Sequence, residues 1–248
     1  MLATIHHGSK SFQVNLAEPL DISIPVAKDR TGVRAWYREA ARIFPYQEDN
    51  FIGSVAHGAA VNFNDIAFNP HAHVTHTESV GHITKEFNSV NELLKTYFFT
   101  AELITVAPER LDSDFVISEK QLKYALGKKK CEALIIRTLP NTKEKVNKDY
   151  SNTNPPYLSE AAAQFLVAKN ILHLLIDLPS VDKEKDEGKL IAHKTFWNVD
   201  GSIRYNATIT ELVYVEDAIK DGSYLLNLQV APFENDAAPS RPILFRIQ

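Results

Sequence analysis

Within the fourteen residues from Asn69 to His82, N-P-H-A-H-V-T-H-T-E-S-V-G-H, the chain places four of its nine histidines, His71, His73, His76 and His82, with Glu78 among them. Imidazole nitrogen and carboxylate oxygen suit a divalent transition metal when several converge on one point. Crowding of such polar groups is favourable when they share a partner. On an extended strand alternate side chains share a face, which puts His76 with Glu78, and a turn through Ser79, Val80 and Gly81 would return His82 to them. His71 and His73 have the opposite parity. A bulge or turn between Ala72 and Thr75 is required before either can join His76 and Glu78. Taken singly, each histidine reads as a surface or hydrogen-bonded core residue, and N-P-H as ordinary turn chemistry. It is the set that argues for a metal.

The elements around this stretch follow from hydrophobic period. Val61 to Phe68 alternates apolar and polar and reads as the strand that delivers the histidines. Phe12 to Val26 holds two short alternating runs, both strand-like, and Trp36 to Phe44 suggests a helical turn or two stopped by Pro45. Trp36, Tyr37 and Phe44 could wall a flat substrate, although core or rim packing is the commoner role of such aromatics. Ser89 to Lys95 has capping-box spacing, Ser89 with Glu92. Ala101 to Ala107, Glu132 to Thr138 and His173 to Leu178 read as buried strands, and Ser118 to Leu126 and Ser159 to Asn170 as serine-capped helices between them. That alternation predicts an α/β fold. Leu139 to Pro156 is a long polar loop. Asp177, Ser180 and Asp182 sit where a strand end could face a site, with loop capping as the plainer role. Ala207 to Val213, Tyr224 to Ala231 and Pro242 to Ile247 complete the expected strands.

Composition narrows the partners. The chain has 248 residues, 44% hydrophobic and 23% charged, with a net charge of −4. This is an ordinary globular composition, with no signal for a nucleic-acid or anionic-membrane partner. No apolar run approaches the roughly 20 residues of a bilayer span. The N-terminal M-L-A-T-I-H-H-G-S-K lacks the basic and apolar regions of a secretory signal, and the lone Cys131 has no internal disulfide partner, so a cytoplasmic location is expected. Cys131 follows three lysines but reads as a half-buried residue at a strand start.

Thr75-His76-Thr77-Glu78 with Gly81-His82 resembles the motif H-x-G-T-H-x-D-x-P-x-H of the metal-dependent cyclase/kynurenine formamidase family. Leu174 to Asp182, Ile191 to His193 and Gly222 to Pro242 resemble later blocks of that family in the same order. The resemblance implies a single swivelling β/β/α domain over residues 1–248, a homodimer or higher oligomer, and zinc- or manganese-dependent hydrolysis of an amide-like bond in a small molecule. It places metal ligands at His76, Glu78, His193 and Glu211, with His71 or His73 as the first ligand, and a catalytic histidine at His82. The chain departs from the pattern at Ala72 (histidine), Val74 (glycine), Glu78 (aspartate) and Val80 (proline).

The chemistry implied is water attack on a carbonyl activated by a divalent ion, with His82 carrying a proton to the leaving nitrogen. Aryl formamides such as N-formylkynurenine, from tryptophan catabolism, are the implied substrates. An isatin- or lactam-type ring hydrolase or a cyclase on the same fold is the second expectation. A homologue that has lost turnover and kept a binding role is a third, resting on Ala72 and Val74. A cupin-like metal oxygenase would need an all-β barrel, which the interspersed helices oppose.

Overall fold

The computed structural model describes residues 1–28 and 31–248. Its centre is a nine-stranded sheet in the order Ala237–Pro239, His76–Glu78, Thr208–Glu211, His173–Ile176, Ala133–Thr138, Phe98–Val106, Gly222–Asn227, Ile243–Arg246, Leu20–Asp21. Thr208–Glu211 through Phe98–Val106 run parallel, and the neighbours on either side are antiparallel. The mixed α/β class read from the alternation of strands and helices is the one observed.

The parallel strands are apolar on both faces because both faces are covered. Ala133 and Ile135 pack with Leu103, Leu175 and Tyr224. Leu134 and Ile136 point the other way, onto Leu122, Leu166 and Phe196 of three helices. Those helices are Glu119–Leu126, Glu160–Ala168 and Ile191–Trp197. Ser118 and Gln121 form a full capping box on the first, and Ser159 accepts from the Ala162 amide on the second, so the expected caps hold there.

Other local expectations give way to tertiary contacts. Trp36 to Phe44 is not helical: Trp36 and Tyr37 sit at φ 59° and 57°, and Arg42–Pro45 is a strand paired with Asn64–Ala67. A helix cannot run through left-handed residues. Ser89 precedes a short helix, Val90–Leu93, without capping it by its side chain. The loop from Leu139 to Pro156 is pinned by Lys145, whose Nζ donates to Asp177 Oδ2 and Thr138 O, both at 2.7 Å. Ala237–Pro239 and the hairpin Glu109–Leu111 with Asp114–Ile117 carry no clear period in the sequence. Among the described residues, no helix is long and apolar enough to cross a membrane.

His173 ties the core to pH. Its ring lies 3.9 Å from that of Phe99, and its Nδ1 bonds Thr208 Oγ1 at 2.8 Å. Burial, helped by Arg204, lowers its pKa from 6.5 to about 4. The imidazole therefore stays neutral in the fold while the unfolded chain takes a proton, so this stability is present above pH 6.5 and is lost as pH falls toward 4. The full effect is about 3 kcal/mol. Denaturant titrations between pH 4 and 7 should show wild type losing about that much more stability than His173→Gln. Parallel curves would refute the assignment.

Candidate metal centre

The Asn69 to His82 stretch folds as two turns around one short strand. Asn69 is extended and Pro70 opens the helical turn Pro70–His73, where its fixed φ is suited to the first position. Residues two apart on such a turn point about 200° apart. His71 accordingly turns inward and His73 outward. His73 Nδ1 accepts from the Asn69 amide at 2.9 Å and its Nε2 donates to Glu39 O at 2.8 Å. With both ring nitrogens used by the backbone, His73 stands outside the cluster, and His71 is the first histidine within it.

Val74, where the family pattern has glycine, has φ −159° and ψ 155°. This is extended backbone open to any residue, so no glycine is required. Its carbonyl accepts from His76 Nδ1 at 3.1 Å. Thr75 Oγ1 donates to Leu212 O and accepts from the Ile24 amide, fixing the start of the strand. In the strand His76–Glu78, His76 lies opposite Glu211, and His76 Nε2 is 3.5 Å from Glu211 Oε2. Leu212, at φ 56°, turns the chain away just after Glu211.

The turn Val80–His82 is capped by Ser79, whose Oγ accepts from the Gly81 amide and donates to Asn88 O. A Cβ on Gly81 would collide with that Asn88 carbonyl oxygen. Gly81→Ala should therefore displace His82 and cost about 1–3 kcal/mol, as overpacking does. Thermal melts of the metal-free protein test this, and an unchanged midpoint would contradict it.

His193 arrives from the C-terminal half on the helix Ile191–Trp197. Asp182 Oδ1 accepts from the Ala192 amide at 2.6 Å, and its Oδ2 accepts from the His193 amide at 3.1 Å and from the His193 ring Nδ1 at 2.6 Å. One carboxylate thus caps the helix and sets the ring. His193 Nε2 then meets Glu78 Oε1 at 3.0 Å and lies 3.7 Å from Glu211 Oε1. Glu211 Oε1 also accepts from the Val181 amide at 3.0 Å.

Asp236 is the group that no sequence pattern singled out. Its Oδ2 accepts from His71 Nε2 at 3.0 Å and from His82 Nδ1 at 3.1 Å. His71 Nδ1 is then directed at Glu78 Oε2, 3.2 Å away, and His82 Nε2 lies 3.9 Å from the same oxygen. The four histidines share one logic. Each gives its outward N–H to an acceptor, Asp236, Val74 O or Asp182, and turns its other nitrogen inward.

The inward atoms fit a divalent ion. Those of His71, His76 and Glu78 lie within 4.8 Å of one another, as do those of Glu78, His82 and His193. His76 Nε2 and Glu78 Oε2 are buried with no hydrogen-bond partner. The 3.2 Å approach of His71 to Glu78 Oε2 lacks hydrogen-bond geometry. Orphaned buried polar atoms cost about 1–3 kcal/mol each, and a shared cation would satisfy both. Without it the carboxylates hold protons on the rings. Burial pushes His71 and His193 down, but Asp236 and Glu78 at the first, and Asp182 and Glu78 at the second, outweigh it and raise each to about 10. Burial pushes Glu78 up, but the charge of His82 and the contacts of His193 and His71 hold it well below the usual carboxylate range.

The aromatics of the expected substrate wall are held by contacts of their own. Trp36 packs with Ile24, Val33 and Tyr150. Tyr37 bonds Glu184 Oε1 at 2.8 Å and, with Arg38, Phe68, Asn69 and His73, lines a cavity of about 670 Å³ that abuts the His71 turn. Phe44 lies exposed beneath Arg42. Asp177 is taken by Lys145 and Thr138, and Ser180 accepts from the Asp182 amide. Cys131 is half-buried, and burial pushes its thiol up to about 12, which keeps it protonated.

Known proteins share this fold. A potential metal-dependent hydrolase with cyclase activity superposes with a TM-score of 0.65 at 17% identity, over 92% of this chain and 98% of its own. A predicted metal-dependent hydrolase from Bacillus stearothermophilus gives 0.63 at 16% identity, over 92% and 98%. Isatin hydrolase A from Labrenzia aggregata gives 0.67 at 14% identity, over 93% and 94%. No curated protein matches the chain in sequence. The family model described as Putative cyclase matches residues 15–183, a span that includes every residue of the His71 to His82 cluster and Asp182, and the chain belongs to that family.

Proposed function

We propose that this protein is a metal-dependent hydrolase of carbon–nitrogen amide bonds in small aryl substrates, with aryl formamides of the N-formylkynurenine type as its substrate class. The observation that carries the reading is the pair of orphaned buried atoms, His76 Nε2 and Glu78 Oε2, at the meeting point of three further histidines. His71, His76, Glu78, His193 and Glu211 would hold zinc or manganese. A divalent ion there supplies Lewis acidity toward a carbonyl oxygen and a lower pKa for water.

The chain's own groups supply the proton path. Asp236 accepts the Nδ1 proton of His82 and so leaves Nε2 as the atom that takes and returns a proton. At 31% side-chain exposure His82 is the most open of the clustered histidines, as a group that meets substrate must be. Asp182 keeps His193 in one tautomer, and Val74 O does the same for His76.

A second reading, opening of a cyclic amide of the isatin class, is favoured by the likeness to isatin hydrolases over 93% of the chain. Both reactions break an amide C–N bond and differ in the pocket that receives the ring. Turnover of N-formylaniline and of isatin by zinc- or manganese-loaded protein separates them. Loss of either turnover in His82→Ala with metal content unchanged is expected. Turnover of neither substrate by a metal-loaded protein would remove both readings.

A further inference from the structure

Lys128-Lys129-Lys130 is the only run of three cations in a chain of net charge −4, and the metal centre makes no use of it. Its middle member is an anchor. Lys129 Nζ donates to Glu102 Oε2 at 2.6 Å, and Glu102 is 5% exposed. The Lys129 amide donates to Leu126 O and the Glu132 amide to Thr100 O, so the loop from the helix Glu119–Leu126 to the strand Ala133–Thr138 is held at both ends.

On either side of that anchor, Lys128 and Lys130 line a cavity of about 670 Å³ together with His7, Lys10 and Lys169. His7 and Lys10 flank the turn between the paired strands Leu2–His7 and Lys10–Asn15, and Lys169 follows the helix Glu160–Ala168. Three segments far apart in the chain thus bring cations to one concave place, of a size usual for small-molecule sites.

Glu132 is the one carboxylate among the lining residues, and its Oε2 is already engaged by the Thr100 amide and hydroxyl, both at 2.9 Å. Four lysines against one glutamate leave three positive charges with His7 neutral. The carbonyl ends of the two helices that finish here, each worth about half a negative charge, reduce this to about two. Among the described residues, none of Lys10, Lys128, Lys130 and Lys169 is in an ion pair. A cleft lined by one sign of charge concentrates the opposite ion.

The balance of about two charges selects the ligand. A phosphate monoester is close to doubly charged near neutral pH and offers three acceptor oxygens, and each ammonium offers three donors. The cations surround a cavity and form no stripe, which suits a small molecule and not a nucleic-acid backbone. Phe12 and Ala168 supply an apolar wall for the carbon part. Glu132 and Asn170 stand just before the parallel strands Ala133–Thr138 and His173–Ile176, whereas Glu211 ends the parallel strand Thr208–Glu211. The cavity and the metal centre therefore lie at opposite ends of the same strands.

We propose that this cavity is a binding site for a phosphorylated small molecule, with Lys10, Lys128, Lys130 and Lys169 holding its phosphate dianion. The site stands on placement and charge and is independent of the metal reading.

Calorimetric titration of the full, metal-free chain with phenyl phosphate tests it, at low salt to limit screening and at about pH 8, where the phosphate is doubly charged. Wild type should bind with a Kd below about 1 mM. Lys128→Ala/Lys130→Ala should bind about 100-fold more weakly, about tenfold for each charged hydrogen bond lost, with an unchanged circular dichroism spectrum. Lys85→Ala/Lys95→Ala, at two exposed lysines outside the cavity, removes the same charge and should bind as wild type does. His76→Ala/Glu78→Ala should also bind normally, which separates this site from the metal centre. Phenol should not bind, and inorganic phosphate should bind more weakly than the ester. Absence of binding by wild type, full binding by Lys128→Ala/Lys130→Ala, or loss of binding in either of the other two variants would overturn the proposal, as would phenol binding as well as its phosphate. Equal binding of inorganic phosphate would overturn the assignment to an ester and leave a site for the free ion.

Discussion

His76→Ala combined with Glu78→Ala should leave the protein folded and unable to retain a divalent metal. Wild type, purified and incubated with zinc or manganese, should carry near-stoichiometric metal by elemental analysis, and the double variant essentially none. The two residues supply the orphaned buried atoms, and Glu78 is the group on which His71, His82 and His193 converge. Removing a group that merely orients a ligand costs about 10–100-fold in metal affinity, so losing two converging ligands should cost more than 100-fold. The fold should survive because His76–Glu78 keeps its ladder to Thr208–Glu211 and Ala237–Pro239 whatever its side chains. Metal absent from wild type as well would show that the cluster is not a metal site and would leave the fold without its proposed chemistry.

Lys145→Met should be the most damaging substitution away from that centre, destabilising the protein by about 3–5 kcal/mol, the usual penalty for breaking a buried pair from one side. Asp177 is fully enclosed, and Lys145 Nζ is the only cation paired with it among the described residues. Burial pushes the Asp177 carboxyl up, while Lys145 and the Thr138 amide and hydroxyl pull it down. Without the lysine, Asp177 must either take a proton or remain an uncompensated charge. Lys145→Met with Asp177→Leu removes both charges and should recover much of the loss, because an apolar pair of similar volume is often neutral to stability. Urea unfolding of the single and double variants measures this. A double variant no more stable than the single one would mean that the pair matters for packing rather than for charge.

The pair also shows how far local reading goes. Leu139 to Pro156 has the polarity and prolines of a mobile loop, and nothing in its spacing marks Lys145 as buried. The loop becomes fixed only because Asp177, thirty-two residues away, ends the adjacent parallel strand. Trp36 to Phe44 fails in the opposite sense. Its apolar spacing suits a helix, but the chain must lay Trp36 onto Val33 and Tyr150 and pair Arg42–Pro45 with Asn64–Ala67, and those contacts outweigh a weak propensity.

The sequence by itself determined the α/β class, the two capped helices, the buried strands and the crowding of histidines with Glu78 between Asn69 and His82. These are readable because period, capping chemistry and ligand type are local properties of the chain. Only the tertiary structure separated His71 from His73, since the helical turn Pro70–His73 directs His71 to the cluster and sends His73 to Glu39 O. It alone showed that Val74 needs no glycine freedom, because that depends on φ rather than on residue type. Asp182 and Asp236 acquire their roles from the same source: each carboxylate meets its histidines across at least eleven residues of chain, and such contacts follow from how strands and helices pack, which no spacing along the sequence encodes.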